Sequence, residues 1–153
     1  MKNSISASTP ITDRTFLIFR LGGKSYGIPF LRVAEVCTLP SAMPVLTAPD
    51  YDRGFVVLHG RTVPVLDLRA RVGEPTALTR DTRLVVAWVR VAGAPDRSLG
   101  LLVDEVQAME TLAADALRER PAFGRQGESD FILGTAEGPD GRRVLCDVDR
   151  LCS

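Results

Sequence analysis

Gly54-Phe-Val-Val-Leu-His-Gly60, continued by Arg61-Thr-Val-Pro-Val-Leu66, is the most telling stretch of this 153-residue chain. Two apolar, β-branched runs flank a glycine, the pattern of a β-hairpin. Pro64 has no N–H to give a ladder, which predicts an edge strand or an outward-facing N–H position. Asp67 follows the second run and can cap a short helical turn over 68–72, which Gly73 stops.

The same grammar extends in both directions. Upstream, Thr15-Phe-Leu-Ile-Phe-Arg-Leu21 is a strand, Gly22-Gly23 a tight turn, and Ser25-Tyr-Gly-Ile-Pro29 the returning strand. Val33-Ala-Glu-Val-Cys-Thr-Leu39 alternates and reads as a half-buried strand. Pro40, Pro44 and Pro49 punctuate an irregular loop. Downstream, 73–81 is a polar connector, and 82–91 is a strand that turns at Gly93-Ala-Pro-Asp-Arg97. Strands follow over 98–103 and 105–112. Residues 113–130 read as helix-like at first and then as loop. Runs over 131–137 and 142–147 flank the turn Gly138-Pro-Asp-Gly141, and 147–152 reads as a last short helix. Residues 1–14 are Ser/Thr-rich and polar and are expected to form a disordered tail.

A weak internal repeat accompanies these elements. Ser25-Tyr-Gly-Ile28 with Glu35-Val36 parallels Ser98-Leu-Gly-Leu101 with Glu105-Val106, and Val65-Leu-Asp-Leu68 parallels Leu145-Cys-Asp-Val148. Chance among common β residues would explain it; so would two similar small barrels of about five strands, whose closure hides sheet edges.

Composition narrows the function. Lys and Arg total 19, Asp and Glu total 19, and the two signs are interspersed, so no basic stripe exists for nucleic acid. Apolar residues make up 45% of the chain, enough for a core without disulfides or metal. The odd set Cys37, Cys146 and Cys152 lacks a CxxC and reads as idle thiols rather than a zinc or disulfide framework. The first residues carry no apolar signal-peptide core, and the apolar run over 84–89 is far short of the ~20 residues a membrane helix needs, so a cytoplasmic protein is expected.

Catalytic chemistry is poorly supplied. His59 is the one histidine and sits beside a hairpin glycine; no GxSxG elbow occurs. Asp104 and Glu105 are neighbours on a strand and point to opposite faces, so they do not pair as catalytic carboxylates. Gly22-Gly-Lys-Ser-Tyr-Gly27 lacks phosphate-loop spacing and fits a hairpin turn better. Val33 and Val36, three apart, share a face only if the strand bends between them; otherwise one of them faces the core. No catalytic residue and no metal ligand is therefore assigned.

Taken in order, several pieces resemble the CheW family of chemotaxis coupling proteins. They are Tyr26-Gly-Ile-Pro29, Val33-Ala-Glu-Val36, Gly54 and Gly60, Val63-Pro-Val-Leu-Asp-Leu-Arg69, Leu99-Gly-Leu-Leu-Val-Asp-Glu-Val106, Ile132-Leu-Gly134 and Val144-Leu-Cys-Asp-Val148. The resemblance covers about 15–152. It implies a mostly β fold of two SH3-like five-stranded barrels sharing a core, with short helices, no cofactor and no catalysis. It implies two partners: a methyl-accepting chemoreceptor tip, held in an apolar groove, and the regulatory domain of a CheA-type histidine kinase. By the same resemblance Val33, Val36, Val103 and Val106 match groove positions, and Glu35 matches an acidic position near the binding surfaces. Where the family usually has Asn-Leu-Arg-Gly, this chain has Val57-Leu-His-Gly60. Losing the guanidinium fork forfeits a charge-assisted bond of about 1.5–3 kcal/mol, tenfold or more in affinity. A divergent adaptor, with one partner surface weakened at His59 and a place in a specialised motility pathway, is the expectation. The alternatives are a small barrel binding nucleic acid or a ligand, a small hydrolase, or a piece of a larger kinase or response-regulator fusion.

Overall fold

The fold is seen in a computed structural model that describes residues 12, 14–39, 52–113, 115–119, 131–138 and 141–152. The proline loop at Pro40, Pro44 and Pro49 and most of the N-terminal tail lie outside the described residues. The strands are β1 (Thr15–Leu21), β2 (Lys24–Pro29), β3 (Val33–Thr38), β4 (Asp52–Leu58), β5 (Arg61–Asp67), β6 (Arg83–Val89), β7 (Arg97–Val103), β8 (Glu105–Thr111), β9 (Leu117–Glu119), β10 (Ile132–Gly138) and β11 (Gly141–Cys146). Among the described residues one α-helical turn, α1 (Leu68–Arg71), follows β5, and 3-10 turns form at Phe30–Arg32 and Val148–Cys152. Asp67 caps α1 through its side chain, which accepts from the Arg69 N–H, and Gly73 beyond it has φ of 80°. Sequence and structure agree there.

The strands make two sheets. One has six strands in the order β8-β1-β2-β11-β10-β9, the other five in the order β3-β6-β7-β5-β4. The expected five strands therefore hold for one sheet, while short β9 adds a sixth to the other. Its residues have helical propensity, but pairing with β10 overrides it. Among the described residues the first and last strands of each sheet are not hydrogen-bonded together, so the ladders run open. Each sheet nevertheless has a core cluster of its own. Val56, Val63, Val65, Leu84, Val86 and Leu102 form that of the second sheet. Phe16, Ile18, Leu112, Ala136 and Leu145 form that of the first. A third, larger cluster, including Phe19, Leu66, Val85, Ala87, Leu101 and Val103, draws on both sheets and joins them.

The sheets are pseudo-equivalent. In each, a hairpin (β1–β2, β6–β7) runs parallel to the first member of a second antiparallel pair (β11–β10, β5–β4). Gly27 lies opposite Leu145 and Gly100 opposite Val65 at matching points of the parallel ladders. This places the two glycine strands of the sequence repeat in register. The Glu-Val part of the repeat is displaced. Ile18 opposes Gly27 and Val86 opposes Gly100, making Phe19 and Ala87 counterparts. Phe19 opposes Val106 and Ala87 opposes Val33, so Val106 answers to Val33 and not to Val36.

Chain connectivity exchanges strands between the sheets. After β2 the chain crosses over and β3 pairs with β6 of the other sheet; after β7 it crosses back and β8 pairs with β1. Pro64 is in an interior strand, not at an edge. The parallel ladder from β5 to β7 covers only Val65, Leu66 and Asp67, which leaves Pro64 paired on one side, opposite Phe55.

Candidate functional site

Directly opposed residues on neighbouring strands project to the same face. Val33 opposes Ala87 and Val36 opposes Val85, and both partners belong to the shared core. Between them the register slips at Ala34. That slip is the bend that brings two valines three residues apart onto one side of β3. Glu35 and Cys37 oppose Val86 and Leu84, members of the second sheet's own core, and so face the other way. Val106 opposes Phe19 of the shared core. Val103 is itself within that core.

Val33, Val103 and Val106 thus meet in the core between the sheets, and Val36 shares the side of β3 that Val33 occupies. Val103 is fully buried, at 0% exposure, so in this conformation it forms the floor and offers no free surface. Val33 and Val106 pack on the core half-buried. Val36, at 42%, is the open one.

A second surface lies on the β4–β5 hairpin. His59 and Gly60 form its tip with φ of 51° and 76°, the left-handed pair of a type I′ turn. The His59 ring N–H reaches the Glu35 carboxylate at 2.9 Å, and the Cys37 thiol donates to the same carboxylate at 2.9 Å. These bonds, the one from Cys37 first, hold the Glu35 carboxyl below its usual range. The residues named in the sequence as a partner contact are therefore in contact with each other. Their bond spans the open margin of the five-stranded sheet, from β3 to the β4–β5 turn.

Along this hairpin Phe55 and Val57 stand out, 58% and 67% exposed. By the pseudo-equivalence, Gly54 opposite Val65 answers to Gly134 opposite Leu145. Phe55 and Val57 then answer to Thr135 and Glu137, and Glu137 takes an ion pair from Arg142 at 3.4 Å. One face is polar and its counterpart apolar, which marks Phe55 and Val57 as a surface feature rather than a demand of the fold. Sequence reading missed them because Val56 between them is core, and the run looks uniformly apolar.

The acidic neighbours Asp104 and Glu105 serve separate structural contacts. Glu105 pairs with Arg20 at 2.8 Å. Asp104 accepts the Gly22 N–H at 2.7 Å. Burial pushes the Cys37 thiol up to about 11 and the Cys146 thiol up to about 12, which keeps both protonated at neutral pH and unfit as nucleophiles. Among the described residues no cluster of His, Cys, Asp and Glu is arranged to hold a metal ion, and no helix is long and apolar enough to cross a membrane.

The fold and surfaces define a two-sheet β module with a shared apolar core and one hairpin that exposes Phe55 and Val57. The chain belongs to the CheW-like domain family, whose model matches residues 15–153. It is 28% identical over 138 residues to the chemotaxis protein CheW of Klebsiella aerogenes, covering 90% of this chain and 81% of that protein. To Protein PilI of Pseudomonas aeruginosa it is 29% identical over 102 residues, 67% of this chain and 55% of that one. The crystal structure of the scaffolding protein TtCheW from Thermoanaerobacter tengcongensis shares the fold, with a TM-score of 0.71, 22% identity and coverage of 89% of this chain and 90% of that one.

Proposed function

We propose that this protein is a non-enzymatic cytoplasmic adaptor that couples a chemoreceptor to a CheA-type histidine kinase in a chemosensory pathway. In this reading the two sheets act as two SH3-like barrels, and an apolar helical receptor tip docks along the seam. Val33, Val36 and Val106 make its contact surface and Val103 its floor. The observation that supports this function is that Val33, Val103 and Val106, from both sheets, meet in the shared core, with Val36 exposed on the same side of β3 as Val33. The related regulatory domain of the kinase docks on the β4–β5 hairpin, against Phe55 and Val57, beside Glu35 and His59. Resemblance to CheW proteins and to PilI fits a chemosensory role in swimming or in surface motility.

The test measures binding to a soluble receptor-tip fragment and to the kinase regulatory domain in separate titrations. Val36→Asp is expected to weaken receptor-tip binding about tenfold or more, since it places a charge on the apolar contact, and to leave kinase binding within twofold. Val57→Asp should do the reverse. His59→Arg should tighten kinase binding; no change would show that the clasped histidine is not what weakens this surface. Wild-type protein that binds neither partner removes the adaptor function.

A further inference from the structure

Both strand crossovers are bolted to the opposite sheet, each by an arginine and a carboxylate. After β7, Asp104 sits at the crossover. Its carboxylate takes the Gly22 N–H of the β1–β2 turn at 2.7 Å and lies 3.5 Å from the Arg69 guanidinium of α1. Arg69 is itself immobilised: Asp67 accepts from its Nε and Nη2 at 2.8 Å each, and the Thr76 and Ala77 carbonyls accept from it at 3.0 and 2.6 Å. Arg69 is thus nearly sealed from water, while the Asp104 side chain keeps 26% of its surface in solvent.

The other crossover, between β2 and β3, carries Arg32. Its guanidinium makes a fork to Asp149 at 2.7 and 2.8 Å and donates to the Trp88 carbonyl at 2.9 Å. Asp149 stands in the 3-10 turn after β11, in the first sheet, and also takes the Arg90 N–H at 2.7 Å, at the end of β6 in the second. Asp149 is the counterpart of Arg69, since Asp147 answers to Asp67 in the repeat. The two bolts therefore have the same position and opposite polarity. They differ at the arginine and in the contact: Arg69 is 1% exposed and meets Asp104 at a single 3.5 Å approach, whereas Arg32 is 21% exposed and grips Asp149 with two short bonds, the two aspartates being alike at 26% and 28%.

The bolts adjoin the seam in sequence. Arg32 immediately precedes Val33, and Asp104 lies between Val103 and Val106.

We infer that Arg32 and Asp149 are positioning residues for partner docking: their two-bonded, part-buried fork at the β2–β3 crossover fixes the angle between the two sheets, and so sets the width of the valine seam. This rests on the docking assignment made above, but the geometry it predicts exists without any partner.

Asp149→Asn tests it. The amide oxygen can still accept from Arg90, while the ionic fork to Arg32 is lost. The variant is followed in three ways: methyl NMR of the valines, affinity for the receptor-tip fragment, and affinity for the kinase regulatory domain. Expected are shifted methyl signals at Val33, Val103 and Val106, about a tenfold loss of receptor-tip affinity, and kinase affinity within twofold. Arg32→Lys, which keeps the charge but not the fork, should fall between wild type and Asp149→Asn. A merely structural pair would weaken both partners in parallel. Parallel loss, or a folded Asp149→Asn protein with unmoved valine methyls, overturns the inference. Should the wild type bind no receptor tip, the docking assignment fails and the methyl shifts alone decide the positioning role. Should Asp149→Asn fail to fold, Arg32→Lys carries the same measurements.

Discussion

At the scale of the residue, the sharpest feature is ionic and lies inside. Arg69 and Asp67 are nearly sealed from water, where a lone charge costs several kcal/mol and survives only when paired and hydrogen-bonded. Both conditions hold: the carboxylate takes the guanidinium and the Arg69 N–H, and the guanidinium also donates to the Thr76 and Ala77 carbonyls and to Asp104. The pair therefore ties the connector after α1 to the end of β5. Removing one partner strands the other. Arg69→Met is expected to lower unfolding free energy by about 3–5 kcal/mol, read as a lower urea midpoint with an unchanged slope. Adding Asp67→Leu should recover part of that loss, because the fully buried carboxylate is then removed together with its guanidinium. If the double variant is as unstable as the sum of the single ones, the pair is not coupled as drawn.

At the scale of the element, the parallel ladders depend on two glycines with no left-handed role. A Cβ on Gly100 would come 2.9 Å from the Leu84 Cδ1, and one on Gly27 would come 2.9 Å from the Ile18 Cδ1 and 3.1 Å from the Leu145 Cδ2. Overpacking of this kind costs about 1–3 kcal/mol. Gly27→Ala should cost more than Gly100→Ala, because it presses on two side chains instead of one. Combining Gly100→Ala with Leu84→Val should destabilise less than the sum of the two, and thermal unfolding of the four proteins in that cycle measures the difference. Strict additivity would mean that the crowding is absorbed elsewhere. These glycines also show what the sequence discloses. Hairpins, the Asp67 cap and the repeated Gly strands are local, written in alternation and turn chemistry, and the structure follows them. The slip at Ala34 is not local: it depends on how β3 meets β6, so nothing in Val33-Ala-Glu-Val36 foretells that both valines share a face. The burial of Val103 and the helical look of the segment that becomes β9 mislead for the same reason. Arg32 and Asp149, far apart in the chain, carry no pattern at all.

At the scale of the whole molecule, the exchange of β3 and β8 makes each sheet incomplete without the other half of the chain. Residues 1–81 contain the β1–β2 and β4–β5 hairpins and an unpaired β3; the strands that complete them, β11, β8, β7 and β6, all come later. Residues 82–153 have the converse deficit. An isolated hairpin is marginal in water, and the shared core that joins the sheets draws on both segments, from Phe19 and Leu66 to Val85 and Leu101. The intact chain should therefore unfold in one step, although it resembles two repeated units. Fluorescence of Trp88, the one tryptophan, reports on β6, while far-UV circular dichroism reports on both sheets; their urea transitions are expected to coincide. Separate fragments 1–81 and 82–153 should each give collapsed, poorly dispersed amide NMR spectra. Mixed together, they should recover dispersion, because every missing ladder partner is then supplied. Dispersed spectra from one fragment alone, or a first transition seen by dichroism with Trp88 still native, would mean that a sheet completes its core from its own half. The seam would then be a joint between two independent bodies, and not the product of the strand exchange.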